Sequence, residues 1–450
     1  MITRKSSVAS ILQMQLRRLL SPLTAGRITV SRLSDLSKVN KVDVEKTPIT
    51  SKLWSLRKQR DTPASVVTEP GAPLVSEKPP LKTYITYNFS TDIHMRDIYI
   101  DYTGQILTGK LLEDLDSMAG NIAFTHCLTV DGNHNQALGL VTASVDKIVQ
   151  EVSNVEATED YALIGQVIWT GRSSLDVIVE LHKMKSDSGI IDDPSSIVLL
   201  EPNSSTRVLS SLFTYVARDK TNNKAFPINK LMCSSKLEQD IYSRRESIAL
   251  ARKASTGSNV HNPDLSKDAI ALLERGRALI DMPAIAERDK VLISSTALEN
   301  CFITHPQHTN TGNKVFGGLL MHKAYDLAHA TAYTFMGCYP KFKEVEEISF
   351  KRPVDIGDLI RLKSRVVYSE DDRYNNNSPS VGTNPIIQVE VTCQVVKPEK
   401  TVSTVSNTFD FVFTCDLEKS NSIMSILPTT AEEYKVYQAA KTARKVNIQE

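Results

Sequence analysis

Gly104-Gln-Ile-Leu-Thr-Gly109 runs into Lys110-Leu-Leu-Glu-Asp-Leu-Asp116-Ser-Met-Ala-Gly120, and Asn313-Lys-Val-Phe-Gly317-Gly318 runs into Leu319-Leu-Met-His-Lys-Ala-Tyr-Asp326-Leu-Ala-His-Ala. Each stretch is a glycine turn that opens an apolar helix carrying an acidic residue two turns in. The two turns lie roughly 200 residues apart, which is the mark of a duplicated domain and not of a short solenoid repeat.

Strand-like runs follow each helix. In the first half they are 137–145, 161–170, 175–183 and 208–217; in the second, 345–350, 359–368, 386–396 and 402–414. They are rich in β-branched residues and partly alternate, as in Gln388-Val-Glu-Val-Thr-Cys-Gln-Val395. A long helix followed by an antiparallel meander, twice over, defines an α+β chain. Residues 234–283 between the halves are charged and helical in pattern, broken at 257–263, and read as a solvated connector.

The 450 residues hold 53 Lys+Arg against 52 Asp+Glu, so no global basic surplus points to nucleic acid. The length suits two domains plus extras, and no apolar run is long enough to span a membrane. Six cysteines without a CxxC argue against a disulfide scaffold or structural zinc. The charge balance conceals an asymmetry. Residues 1–34 contain Arg4, Lys5, Arg17, Arg18, Arg27 and Arg32 and no acid, and they are rich in serine. That composition is the signature of a mitochondrial transit peptide. Residues 35–80 include Pro63, Pro70, Pro73, Pro79 and Pro80 with little periodicity, and read as a flexible linker.

A glycine turn at a helix start presents backbone N–H groups backed by the positive end of the helix dipole, suited to an oxyanion or phosphate. Gly317-Gly318 is the cleaner turn; Gly109 follows Thr108. On the first helix Leu111, Leu112, Leu115, Met118, Ala119, Ile122 and Ala123 form an apolar arc, with Glu113, Asp114 and Ser117 outside it and Asp116 at its edge. On the second, His322, Asp326, His329 and Tyr333 form a polar ridge. A metal reading of that ridge lacks a third strong ligand, so no metal is expected. His305 and His308 precede the glycine turn and could orient a substrate. No GxSxG elbow, P-loop or dinucleotide fingerprint occurs.

These segments together resemble the double hot-dog acyl-CoA thioesterases, and most nearly that family's mitochondrial branch. The resemblance rests on the residues quoted from Gly109 to Ala119, on Leu212-Phe-Thr-Tyr-Val-Ala217, His305-Pro-Gln, the run from Asn313 to Asp326, and Phe350-Lys-Arg-Pro-Val-Asp-Ile-Gly-Asp358. It implies a tandem hot-dog architecture, each unit a long helix wrapped by a curved antiparallel sheet. It divides the chain into a transit peptide (1–34), linker (35–80), first hot-dog domain (81–233), helical linker (234–290), second hot-dog domain (291–420) and C-terminal tail (421–450).

The resemblance further implies two sites at the interface between the halves. One combines Asp116 with Asn313 and the Gly317-Gly318 turn; the other combines Asp326 with Gln105 and Gly109. Asp116 stands seven residues past its glycine, the family's register, whereas Tyr325 holds that place in the second helix and Asp326 lies one further on. Gln105 stands where the family has asparagine, and Lys314 occupies the other amide position. The first pairing is therefore preferred. Arg172-Ser173-Ser174 resembles a CoA-contacting loop, with Lys351 and Arg352 as weaker candidates. The implied activity is hydrolysis of acyl-CoA to free acid and CoA in the mitochondrial matrix. It needs no cofactor, CoA being part of the substrate, and the enzyme is expected to be a homo-oligomer. Two other readings stand beside it: a hot-dog hydratase or dehydratase, and a non-catalytic acyl-CoA-binding regulator.

Overall fold

The computed structural model describes residues 46–61, 75–128, 137–186, 189–202, 204–255, 266–284, 287, 289–310, 314–371, 384–416 and 423–447. Residues 1–34, read above as a transit peptide, Asn313 and the break at 257–263 lie outside the described residues. The helices are α1 (Pro48–Asp61), α2 (Ile93–Tyr99), α3 (Thr108–His126), α4 (Lys236–Ser255), α5 (Lys267–Asp281), α6 (Gly317–Met336) and α7 (Ala431–Asn447). The principal sheet has eleven strands. They are β1 (Thr83–Tyr87), β2 (Leu138–Gln150), β3 (Tyr161–Thr170), β4 (Ser174–Lys183), β5 (Arg207–Asp219), β6 (Leu298–Ile303), β7 (Lys341–Val345), β8 (Ile348–Ser349), β9 (Leu359–Glu370), β10 (Ile386–Lys397) and β11 (Val402–Thr414).

The sheet order is β6-β9-β10-β11-β7-β2-β5-β4-β3-β1, with β8 also paired to β2. Read outward from the β7–β2 seam, both halves have the same connectivity. The strand after the long helix lies at the seam, the next three follow in reverse chain order, and the strand before the helix closes the edge. All pairings in this sheet are antiparallel. Long helices laid against an antiparallel sheet are the α+β arrangement that the hot-dog resemblance implies. At the seam Val345 pairs with Ile148, and Lys147 Nζ meets a Glu344 carboxylate oxygen at 2.9 Å.

Helices α3 and α6 pack on the sheet and on each other. Leu112, Leu115 and Met118 on α3 are at most 1% exposed, and burial of side chains of this size stabilises by about 1.5–3 kcal/mol each. From α6, Leu320, Met321, Ala324 and Ala328 enter the same core, joined by Phe409, Phe411 and Phe413 of β11. The apolar arcs read from sequence therefore face the sheet.

Glu113, Asp114 and Ser117, outside the apolar arc of α3, are buried as well, each at most 1% exposed. The reason is that α3 is covered on its polar side as well, by α1 and α6. The region 35–80 is not a flexible linker throughout, because α1 lies within it and buries Ile49, Leu53 and Trp54. Thr47 and Thr50 donate hydroxyl hydrogen bonds to Asp114 Oδ1, and Thr50 also pairs with Ser117 Oγ at 2.8 Å. Nor is 421–450 simply a tail. Helix α7 docks on β9, and its Arg444, 4% exposed, pairs with Glu344 near the seam.

The 234–290 segment contains the two expected helices. Helix α4 is anchored on the first half by Arg245, which reaches Asp146 and Asp176, each at 2.8 Å.

Candidate active site

The site is built where the N-terminus of α6 meets the second turn of α3. Neither helix start carries a side-chain cap; the N-cap residues are Leu107 and Phe316. The first-turn amides of such a helix have no intrahelical acceptors. At α6 one of them is used by the other helix: the Gly318 N–H donates to Asp116 Oδ2 at 2.7 Å. A charge-assisted bond to a helix N-terminus is among the stronger neutralising contacts a carboxylate can find.

Glycine is required here by close approach. A Cβ on Gly317 would stand 3.1 Å from Asp116 Oδ2 and 3.2 Å from the Phe350 ring, and one on Gly318 would collide with the Phe316 ring at 2.6 Å. Asp116 Oδ1 accepts from Tyr215 Oη of β5 at 3.2 Å and from Thr142 Oγ1 of β2 at 3.3 Å. Asp116 is 4% exposed. Burial pushes its carboxyl up to about 6, against the lowering effect of the Gly318 amide, Tyr215, Thr142 and the Arg57 charge. A carboxylate in that range is ionised at neutral pH and still basic enough to take a proton.

The second interface uses the same parts with one exchanged. The place of Asp116 is taken by Tyr325, which lies with Thr108, at the start of α3, on the lining of one cavity. Burial raises the Tyr325 phenol well above its ordinary value, so it is protonated at neutral pH. Its ring packs on Phe342, Phe411 and Phe413 at 5.7–5.9 Å between centroids. Asp326 and Gln105 line one cavity of about 150 Å³, with Thr108, Tyr325 and His329. Gly109 adjoins Asp326, since a Cβ there would lie 3.3 Å from Asp326 Oδ1. The Asp326 side chain is 54% exposed.

Space and chemistry thus favour different interfaces. The cavity lies at the second, the buried carboxylate at the first. The first interface offers a buried carboxyl raised to about 6, the second a protonated phenol in the same register position.

Among the polar residues of α6, His322 Nδ1 meets Glu113 Oε2 at 3.2 Å and His322 Nε2 meets Asp326 Oδ2 at 3.7 Å. An Asp–His contact therefore exists, with the imidazole shared between two carboxylates. Among the described residues no group of three His, Cys, Asp or Glu could hold a metal ion. No described helix is long and apolar enough to cross a membrane.

The CoA-contact candidates are spread over two loops. Arg172, Ser173 and Ser174 form the β3–β4 turn, where the Ala217 N–H donates to the Ser173 carbonyl at 2.7 Å. Ala217 is two residues beyond Tyr215 on β5, so this turn lies near the end of that strand that carries Tyr215. Lys351 and Arg352 are exposed and directly follow Phe350, whose ring touches Gly317. Lys314 pairs with Asp355, and the His305 N–H donates to His308 Nδ1 at 3.1 Å. Sequence reading missed Tyr215, Thr142 and Arg57. Tyr215 lay inside a quoted motif, but nothing in its strand pattern singles out a hydroxyl aimed at α3.

Comparison with known proteins shows the family. No protein-family model matches the chain. The chain is 37% identical over 401 residues to acyl-coenzyme A thioesterase 2, chloroplastic, of Humulus lupulus, covering 86% of each. It is 29% identical over 359 residues to acyl-coenzyme A thioesterase 9, mitochondrial, of Mus musculus, covering 77% of this chain and 73% of the relative. Among solved structures, an acyl-CoA hydrolase mutant from Staphylococcus aureus aligns at 20% identity and TM-score 0.30, over 36% of this chain and 96% of its own. That last likeness is too distant to bear on function. The chain belongs to the acyl-coenzyme A thioesterases, which are thioester hydrolases.

Proposed function

We propose that this chain is a tandem double hot-dog enzyme that hydrolyses acyl-CoA in the mitochondrial matrix, with Asp116 as the general base. The observation that carries the reading is the contact between Asp116 and the Gly318 amide across the two halves. The repeated strand order about the β7–β2 seam supports the tandem arrangement. The acid-free first 34 residues and the mitochondrial relatives support the location.

In the proposed reaction Asp116 accepts a proton from water as the water oxygen attacks the thioester carbonyl carbon. The carbonyl oxygen gathers negative charge beside the first-turn amides of α6, where the helix dipole favours it. Because Asp116 already holds the Gly318 N–H, the incoming carbonyl competes with the carboxylate for this helix end. Collapse breaks the C–S bond; the thiolate leaves as CoA and takes up the proton, and the acyl group departs as a carboxylic acid. Tyr215 and Thr142 fix the Oδ1 side of the base.

Arg172, Lys351 and Arg352 supply positive charge for the phosphates of CoA, with Ser173 and Ser174 as hydrogen-bonding neighbours. The reaction needs no cofactor apart from the CoA of the substrate itself. Assembly into a homo-oligomer is part of the same reading.

The test is release of free thiol from an acyl-CoA by the purified chain, followed with a thiol reagent. Turnover supports the reading; binding without turnover across acyl-chain lengths overturns it in favour of a regulatory protein.

A further inference from the structure

We propose that Arg57 is a positioning residue for hydrolysis: a cation delivered by a helix outside both hot-dog halves, which holds the Asp116 carboxylate in its charged, base-competent form. The inference rests on the reading of Asp116 as the base.

The geometry begins with how α1 is docked. Thr47 and Thr50 bind Asp114 at one end of the contact with α3, and Trp54 packs edge-on to Phe316 with ring centroids 5.0 Å apart. Phe316 is the N-cap residue of α6. Helix α1 is therefore fixed to both helices that build the site. One turn beyond Ile49 and Leu53, it carries Arg57 to the middle of α3. The guanidinium carbon lies 5.0 Å from the Phe124 ring centroid.

A Cβ at Gly120 would stand 3.2 Å from Arg57 Nη1 and 3.4 Å from Tyr215 Oη. Gly120 lies one turn past Asp116 on the same helix face, and Tyr215 Oη is the group that meets Asp116 Oδ1. The absent side chain at 120 thus leaves room for the guanidinium beside the Tyr215 hydroxyl that meets Asp116.

The other groups facing Asp116 are few. Helix α6 offers the Gly318 amide, β5 offers Tyr215 and β2 offers Thr142. From β3 and β4, Leu163, Val167, Val177 and Val179 enter the surrounding core. Glu113, on α3 itself, is engaged by His322. Arg57 is the cation among the named influences on Asp116, and its charge lowers both the Asp116 and the Tyr215 values. Its loss removes one of the influences, after the Gly318, Tyr215 and Thr142 hydrogen bonds, that oppose burial and favour the charged form.

The experiment compares the full chain with its Arg57→Met, Arg57→Gln, Arg57→Lys and Asp116→Asn variants, measuring thiol release from one acyl-CoA between pH 5 and 9, with melting curves alongside. Arg57→Met is expected to move the acid limb of the rate profile upward by about one pH unit. Turnover at pH 6 then falls several-fold more than at pH 8. Arg57→Lys restores most of the limb, and Arg57→Gln serves where the methionine variant fails to fold.

An unmoved limb in both neutral variants overturns the proposal. So does an equal loss at every pH, which marks a structural role, or a raised KM with a fixed limb, which marks substrate contact. Failure of the underlying reading is seen separately, as retained turnover in Asp116→Asn.

Discussion

At the first interface α3 carries Asp116 seven residues after Gly109; at the second, α6 carries Tyr325 seven residues after Gly318. Both side chains are buried, and each reaches the start of the opposite helix. Asp116 finds a glycine amide there, and Tyr325 lies with Thr108 on the lining of one cavity. The two halves share strand order, while one register position holds a carboxyl in one and a phenol in the other. Burial raises both groups. For a carboxyl starting near 4 that yields a value of about 6 and useful basicity; for a phenol starting near 10 it only removes the group further from titration.

Asp116→Asn should show the largest effect. The amide keeps the size and cannot take the proton, so turnover is expected to fall on the order of 10²–10⁴-fold. Gly317→Ala comes next. Its new methyl must push aside Asp116 Oδ2 or Phe350, and a displacement of this kind is expected to cost on the order of 10–100-fold in turnover.

The pH profile tests the environment directly. Turnover of the unmodified chain should rise with pH through a midpoint of about 6, since the charged form is the active one. A midpoint near 4, the ordinary carboxylate value, would mean that Asp116 is not held as described.

Stability separates the role of Asp114 from that of Asp116. Asp114 accepts hydrogen bonds from Thr47, Thr50, Tyr87 and Tyr99, yet burial still pushes it up to about 7. A raised folded-state value stabilises the protonated form. That contribution is present in full below the unfolded value near 4 and is lost as pH rises through about 7. Asp114→Asn should therefore flatten the decline in melting temperature between these limits. Asp114→Ala strands four hydroxyls and should destabilise by about 1–3 kcal/mol.

Much of this was legible in the sequence because it depends on local pattern. Strands Tyr161–Thr170 and Val402–Thr414 have the ends their β-branched runs gave them, and both glycine turns open helices. The juxtaposition of Asp116 with the Gly317-Gly318 turn followed from the family resemblance. What was hidden depends on packing from afar. Glu113, Asp114 and Ser117 lie outside the apolar arc, and their burial is hidden because α1 is invisible to a periodicity count on α3. Helix α1 itself left a faint signal: Thr47 before Pro48 is a helix start, and Ile49, Leu53 and Trp54 make a short apolar stripe. Arg57 and Tyr215 meet at the site only through tertiary structure.

The most direct measurement is thiol release by Asp116→Asn and Asp326→Asn, side by side on one acyl-CoA. Asp326 is a half-exposed carboxylate beside a tyrosine in the acid's register. The account expects Asp116→Asn to lose nearly all turnover and Asp326→Asn to stay within about twofold of the parent, as exposed surface changes do. Full turnover in Asp116→Asn with loss in Asp326→Asn would contradict it and move the chemistry to the interface that holds the cavity.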